Sequence, residues 1–461
     1  MKKLPPDFIA QLTDSLGNNS LYSDPADCWA YGYDNSRQHS APDLVVFPAT
    51  HDQVKSIVSL CNTYKVPLVA RGRGTGTAGA CVPVDGGVVI SFERMDKILN
   101  IDPDNRVMEV QPGVTNTTVQ TIAGEHGFFW APDPTSADVC TVGGNLAYNS
   151  AGPRAVKYGT PRENVLGLRA VTGAGEEIRT GVYTTKGVVG YDFTRLLIGS
   201  EGTLAIITEA ILKLLPKAEA VSTLLVTYKD IHHAARAISA IMAQPVTPCA
   251  LEFMDAKAID MIRNYSEVLL PDNTGAILII EVDGESAALE NAVNKIRQAA
   301  SNDGLISFIA ANTKEDVDKL WQTRKALSPA LRNIAPKKIN EDIVVPVSKM
   351  PVLIEGLDAL SARFGITIVN FGHAGNGNVH VNLLADPDDP EQMEKIHNCL
   401  NEVFNLVLKL KGTLSGEHGV GIEKRDYIAR EIDPVTLNLM KRVKRQFDPD
   451  NILNPGKMFP A

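Results

Sequence analysis

The sequence predicts an α+β protein of more than one domain, and three observations point there. Its 461 residues exceed what one hydrophobic core organises. Over positions 1–220, short apolar strands alternate with amphipathic helices and glycine-rich loops, the pattern of a mixed α/β domain. Over 221–415 a strand-then-helix unit occurs three times, which predicts a sheet with helices on one face. The remaining segment, 416–461, turns glycine-rich again and is expected to return to the first domain.

The elements follow in order. Asp43 to Phe47 reads as a strand. From His51 to Tyr64 the apolar residues Val54, Ile57, Val58 and Cys61 recur at helical spacing, and Val66 to Ala70 is a second strand. Strand-like runs come next at Gly87 to Phe92 and Arg106 to Gln111, before a Pro- and Gly-rich stretch from Ala131 to Arg154. Asn164 to Thr172 and Leu204 to Leu214 close the domain. In the second half VSTLLVTYKD leads into IHHAARAISAIM, GAILIIEVDG into ESAALENAVNKIRQ, and EDIVVPVSK into MPVLIEGLDALSARFG. This is an echo of pattern and not a solenoid repeat.

A net charge of -9 argues against a general nucleic-acid binder or an anionic-membrane binder. Six scattered cysteines form no C-x-x-C pair, which suits a reducing, cytoplasmic compartment and neither a disulfide framework nor a thiolate metal site. The start MKKLPPDFIAQL has no apolar h-region, and no run reaches membrane-spanning length, so contact with an inner membrane would be peripheral.

Residues 71–79 read RGRGTGTAG, in which Gly74, Gly76 and Gly79 satisfy G-x-G-x-x-G. The Rossmann fingerprint needs a helix starting in the loop, and here Pro83 and Gly86–Gly87 forbid one. The backbone N–H groups can still converge as an anion nest, with a flexible turn as the equal alternative. Two further glycine-rich runs, APDPTSADVCTVGGNLAYNSAG (131–152) and LLIGSEGTLAIIT (196–208), tip the balance toward an extended nucleotide-like ligand.

Together with the terminal FDPDNILNPGK, these runs resemble the vanillyl-alcohol-oxidase-type (PCMH-type) flavoproteins. More narrowly they resemble the FAD-linked D-lactate, glycolate and D-2-hydroxyglutarate dehydrogenase branch. The resemblance implies an FAD-binding domain followed by an α+β substrate (cap) domain with ferredoxin-like elements. It implies FAD with its pyrophosphate along Arg71, Gly72, Arg73, Gly74, Thr75, Gly76 and Thr77. Pro134, Ser136, Gly143, Gly144, Asn145, Ala151 and Gly152 would line the ribityl chain and ring, Glu201, Gly202 and Ile207 the rest, and Asn454 would return to the flavin. The loop holds neither His nor Cys, so the FAD is expected to be non-covalent.

The densest chemistry lies in FGHAGNGNVH (371–380) and SGEHGVG (415–421), which carry three of the nine histidines beside a carboxylate. Two imidazoles and a carboxylate suit zinc, iron(II) or manganese and leave positions open for substrate. The bland alternative, a sheet-capping His380 and a solvated Glu417–His418 loop, fits isolated histidines better than a clustered set flanked by Gly and Asn. ITIVNF and VHVNLL read as two strands of a hairpin that would hold His373 and His380 across from each other. By the resemblance, His373, His380 and Glu417 become ligands of a divalent metal, usually zinc, and His418 the catalytic base. Asn382 and Arg324 would hold the substrate carboxylate, while Ser328, with Lys337 and Lys338 near, sits at a spacing that suits the distal carboxylate of hydroxyglutarate-type members.

These parts support oxidation of a D-2-hydroxy acid to a 2-keto acid: the metal acidifies the hydroxyl, His418 takes its proton, and a hydride passes to the flavin. D-lactate leads as substrate. D-2-hydroxyglutarate follows, because KKINEDIVVP matches that subgroup poorly and Asn340 falls where a lysine is expected. A catalytic FAD subunit of a glycolate oxidase complex, a flavin oxidase and a metal hydrolase holding a nucleotide are the competing readings. The expected partners are a quinone, a cytochrome or an electron-transfer flavoprotein as electron acceptor, and a second copy in a homodimer.

Overall fold

The computed structural model describes residues 4–262, 270–332, 337–386 and 388–460. The chain divides into two compact units. The first comprises residues 1–151, 159–217 and 417–461; the second comprises 152–158 and 218–416.

In the first unit β1 (Leu44–Val46), α1 (His51–Tyr64) and β2 (Leu68–Arg71) are the expected strand, helix and strand, and β3 (Val88–Ser91) is the strand-like run that follows. The order β1-β3-β2 is parallel, and a two-residue strand, Leu21–Tyr22, pairs antiparallel beside β1. Thr50 starts α1 by accepting from the Gln53 N–H. The helix buries Val54, Ile57, Val58 and Cys61 against Leu44, Leu68 and Ile90, each such aliphatic side chain worth about 1.5–3 kcal/mol of transfer free energy. Val45, Val69 and Val89 point to the other face, toward Cys28, Phe47 and Cys81, which is why these strands read as unbroken apolar runs. A second sheet, wholly antiparallel, runs β4-β5-β8-β6-β7, from β4 (Ile98–Asp102), β5 (Val107–Val110), β6 (Val165–Thr172), β7 (Glu177–Gly181) and β8 (Ala205–Lys213).

The terminal segment is held in this unit by a buried ion pair. Lys444 bonds the carboxylate of Asp448, whose oxygens also accept from Ile452 N at 3.0 Å and Leu453 N at 2.8 Å. Asp448 has no exposed surface. Asp448→Ala is therefore expected to strand a buried ammonium and to cost about 3–5 kcal/mol, the usual result of removing one partner of a buried pair. The check is a fall in the melting temperature of the purified protein; an unchanged melt would contradict it.

The second unit is built on a seven-stranded antiparallel sheet. Its strands are β9 (Ala220–Tyr228), β10 (Ala250–Asp255), β11 (Ala276–Gly284), β12 (Leu305–Ala310), β13 (Lys337–Val344), β14 (Thr367–His373) and β15 (Asn378–Ala385), in the order β12-β9-β11-β10-β14-β15-β13. Helices cover both faces, where the sequence pattern had predicted one. On one face Leu225, Ile279, Met254 and Phe371 pack with Ala258 and Ile259 of the helix Ala256–Ile262 and with Leu327 and Leu331 of the helix Lys314–Arg332. On the other, Tyr228 donates its hydroxyl to Ala300 O at the end of the helix Ser286–Ala300. Amphipathic spacing shows that a helix has an apolar stripe, but not which sheet face receives it. Among the described residues no helix is long and apolar enough to cross a membrane.

Candidate active site

In the first unit the glycine loop leaves β2 with Arg71 buried beneath it. The Arg71 guanidinium bonds the carbonyls of Tyr33 and Ala30 and lies 3.5 Å from Cys81 Sγ, so it fastens residues 30–33 to the loop. Gly74 has φ +67°, and a Cβ there would stand 2.4 Å from Arg71 Nη2. Both the backbone region and the close approach exclude a side chain. Gly72 and Gly76 lie against Thr141 and Tyr148, Thr75 and Thr77 are half-buried, and Arg73 is exposed.

Thr141 caps the short helix Val142–Tyr148 by accepting from Gly144 N at 3.2 Å. Gly143 N bonds Pro112 O, and Asn145 is held by Asn116 and Cys140. Pro134 O accepts from Ala137 N, and Ala151 O from Asp133 N; Gly152 opens the second unit.

A cavity of about 600 Å³ opens beside this loop, lined by Gly74, Thr75 and Ser136. Its other wall is Trp29, Tyr33, Asp34, Asn35, Arg37 and His39, which carried no signal in the sequence. The Trp29 and His39 rings lie against each other with centroids 3.7 Å apart and planes tilted by 33°.

Four more expected cofactor residues lie around β8 and the chain end. Ile207 is on β8 opposite Ala170, and Gly202 has φ +67°. Glu201 is buried, and its carboxylate accepts from Val420 N at 2.6 Å and Gly421 N at 2.8 Å. Burial pushes its pKa up despite those bonds. Glu201 thus pins the segment that begins with Glu417 and His418, a job the sequence did not disclose. Asn454 donates to Ala80 O and Glu201 O, at 2.8 and 2.7 Å, while its Oδ1 is buried without a hydrogen-bond partner among the described residues. A glycine cradle, a cavity and an orphaned acceptor are what a bound dinucleotide would complete.

In the second unit the predicted hairpin is β14 and β15, joined through Ala374–Asn376 and Gly377. Gly377 has φ +73°, and a Cβ there would lie 1.9 Å from Val345 O, so the tight tip requires glycine. The register sets His380 opposite Phe371, with His373 one same-face position beyond. The two imidazole rings meet edge-on, 5.2 Å between centroids, and both are buried.

A buried carboxylate stands behind each histidine on the neighbouring strand. Glu252 of β10 pairs with His373 in register, and Asp342 of β13 with His380. Glu252 Oε1 lies 2.5 Å from His373 Nδ1, and its Oε2 accepts from Arg324 Nε at 2.8 Å. Burial alone would raise the Glu252 pKa, but the charges of His373 and Arg324 outweigh it and hold the carboxyl below its ordinary value. Asp342 Oδ1 is 3.8 Å from His380 Nδ1, and Asp342 also accepts from Asn378 and from Gly416 N, the residue before Glu417.

Arg324 is buried, with its guanidinium carbon 4.8 Å from the Phe371 ring centroid. Asn382 Nδ2 donates to Val369 O and His380 O, so what it has left is a buried acceptor, Oδ1, without a partner among the described residues. Ser328 shares the helix of Arg324, and its side chain lies outside the described residues. The structure thus places His373, His380, Arg324 and Asn382 on one sheet face.

A nucleotide cradle on one unit and a polar sheet face on the other define a flavin-dependent oxidoreductase. Residues 42–181 match the FAD binding domain family and residues 217–458 the C-terminal domain of FAD linked oxidases, so the chain belongs to the FAD-linked oxidases. It is 39% identical to the glycolate oxidase subunit GlcD of Bacillus subtilis, over 98% of this chain and 97% of that one. It is 33% identical to a D-2-hydroxyglutarate dehydrogenase of Stutzerimonas stutzeri (99% of each) and 34% to a D-lactate dehydrogenase of Anaerostipes hadrus (90% and 89%). Among solved structures, p-cresol methylhydroxylase superposes with a TM-score of 0.79 at 18% identity, over 98% of this chain and 96% of that one, a likeness of fold alone.

The cradle yields a direct prediction. Gly74→Ala is expected to lose most of the bound FAD, because a left-handed alanine costs about 1–2 kcal/mol before the contact with Arg71 is counted. The check is the flavin absorbance per protein after purification, and a full complement would contradict it.

Proposed function

We propose that the chain oxidises a small D-2-hydroxy acid, with D-lactate the leading substrate, to the 2-keto acid. The observation that carries this is the sheet face on which two buried imidazoles stand 5.2 Å apart beside a buried arginine. All three relatives described above bear the names of enzymes or subunits acting on 2-hydroxy acids.

FAD, bound non-covalently along the 71–77 loop, supplies the two-electron acceptor. A divalent ion, zinc by the donor set, would be held by His373, His380 and Glu417, and would make a chelating hydroxyl more acidic. Because a carboxylate only accepts, the Glu252 contact keeps a hydrogen on His373 Nδ1 in either charge state, so an ion that displaces the second proton would meet the Nε2 lone pair. Arg324 neutralises the substrate carboxylate, and Asn382 Oδ1 offers an acceptor. His418 takes the hydroxyl proton. The electrons leave for a quinone, a cytochrome or an electron-transfer flavoprotein.

One observation favours a second reading, D-2-hydroxyglutarate. Lys338 stands in β13 opposite Leu384, on the same sheet face as Asn340 and Asp342, where it could meet a distal carboxylate. A catalytic subunit of a glycolate oxidase assembly fits the likeness to GlcD.

The test is anaerobic bleaching of the flavin absorbance by D- and L-lactate, D-2-hydroxyglutarate and glycolate, with and without a chelator. Bleaching by a D-acid that the chelator blocks is the expected result. Bleaching indifferent to the chelator would remove the metal from the reading. A preference for hydroxyglutarate that Lys338→Ala abolishes would promote the second substrate.

A further inference from the structure

Two groups with different tasks, a metal-binding imidazole and a carboxylate-binding guanidinium, end on one side chain that no motif announces. We propose that Glu252 is a shared positioning residue, which orients His373 with one carboxylate oxygen and Arg324 with the other. The inference rests on the function proposed above, and it names what sets the geometry of that site.

The two contacts are made by different oxygens, Oε1 to His373 at 2.5 Å and Oε2 to Arg324 at 2.8 Å. A carboxylate needed only to neutralise a buried arginine would not also require the imidazole. The register explains why both arrive: β10 sets Glu252 beside His373, and the Arg324 helix lies over the same face. Glu252 has no exposed surface, so water cannot replace either contact. Fixing the other ring nitrogen of a ligand histidine orients the imidazole and raises its basicity. The two ends of a 2-hydroxy acid would then be received by groups held in a constant relation.

The experiment titrates the metal-free flavoprotein with Zn²⁺ and with Mn²⁺, and measures KM and kcat at saturating ion, for wild type, Glu252→Gln and Glu281→Gln. Glu281 is the control: a carboxylate in the same sheet, bonded to Thr223 and Trp321 rather than to His373 or Arg324. Glu252→Gln is expected to weaken ion binding by about 10–100-fold. It should also raise KM by about tenfold, the effect of one charge-assisted hydrogen bond. Glu281→Gln should change the melting temperature and neither of these.

Wild-type ion affinity and KM in Glu252→Gln would overturn the inference. Absence of ion binding in the wild type would instead sink the metal reading, and this inference with it, so the two failures are told apart. Should Glu252→Gln not fold, the imidazole ¹⁵N spectrum of the wild-type flavoprotein decides. A neutral His373 protonated on Nδ1 supports the proposal, and one protonated on Nε2 overturns it.

Discussion

His380→Ala is expected to fail to bind the divalent ion proposed above and to turn over roughly a thousand times more slowly, while keeping its flavin. Lewis-acid assistance is worth several kcal/mol of transition-state stabilisation. At 1.36 kcal/mol per decade, that gives about three orders of magnitude in kcat. The flavin should stay because its cradle is assembled from residues of the first unit, β2, the glycine loop and the chain end. The substitution also removes a ring packed on Phe371, and it leaves Asp342 leaning on Asn378 and Gly416. A melting curve separates that loss from the chemical one. The measurement is metal per protein by elemental analysis beside the turnover number. Wild type treated with a chelator should show the same loss and recover on adding Zn²⁺ or Mn²⁺. Full turnover in an ion-free variant would end the metal-assisted reading.

The contrast between His380 and Glu252 shows how much of this protein was legible in its sequence. Wherever the cause of an element is local, the reading and the structure agree. The helix His51–Tyr64 has its cap, its apolar spacing and its terminating Lys65 all within a few residues. The β14–β15 hairpin likewise follows from two apolar runs around a Gly-Asn tip. Where the cause is remote, the sequence was silent. In ALEFMD the carboxylates Glu252 and Asp255 are buried in or at the end of a strand, which polarity alone argues against. Glu252 is made tolerable by Arg324 and His373, 72 and 121 residues away. Asp255 is made tolerable by the Asn370 amides and Ala258 N, and burial still lifts its pKa to about 6. Glu201 belongs to the same class: it reads as part of a glycine-rich ligand loop, yet its oxygens hold backbone more than 200 positions later. Trp29, Tyr33 and His39 are a third case, aromatic residues with no local pattern that line the cavity beside the glycine loop, where Arg71 fastens residues 30–33.

That long reach of Glu201 bears on the other large effect. His418→Gln is expected to reduce the rate of flavin bleaching by a D-2-hydroxy acid about 10²–10⁴-fold, the usual contribution of a positioned general base. Glutamine keeps a polar side chain of similar reach but cannot accept a proton at neutral pH. The backbone around position 418 should hold its course, because Val420 and Gly421 remain bonded to Glu201 and the Glu417 carbonyl to Ser150. Metal and flavin content should therefore stay at wild-type levels, which distinguishes this variant from His380→Ala. The loss should fall on the single-turnover bleaching rate and spare KM, since substrate would still meet Arg324 and the ion. Bleaching at the wild-type rate would show that another group takes the proton, and Glu417–His418 would then act through the carboxylate alone. A proportional rise in KM instead would make His418 a binding residue. Only a fall confined to the chemical step fits a base, and it would do so while the ion, the flavin and the Glu252-held pair stayed in place.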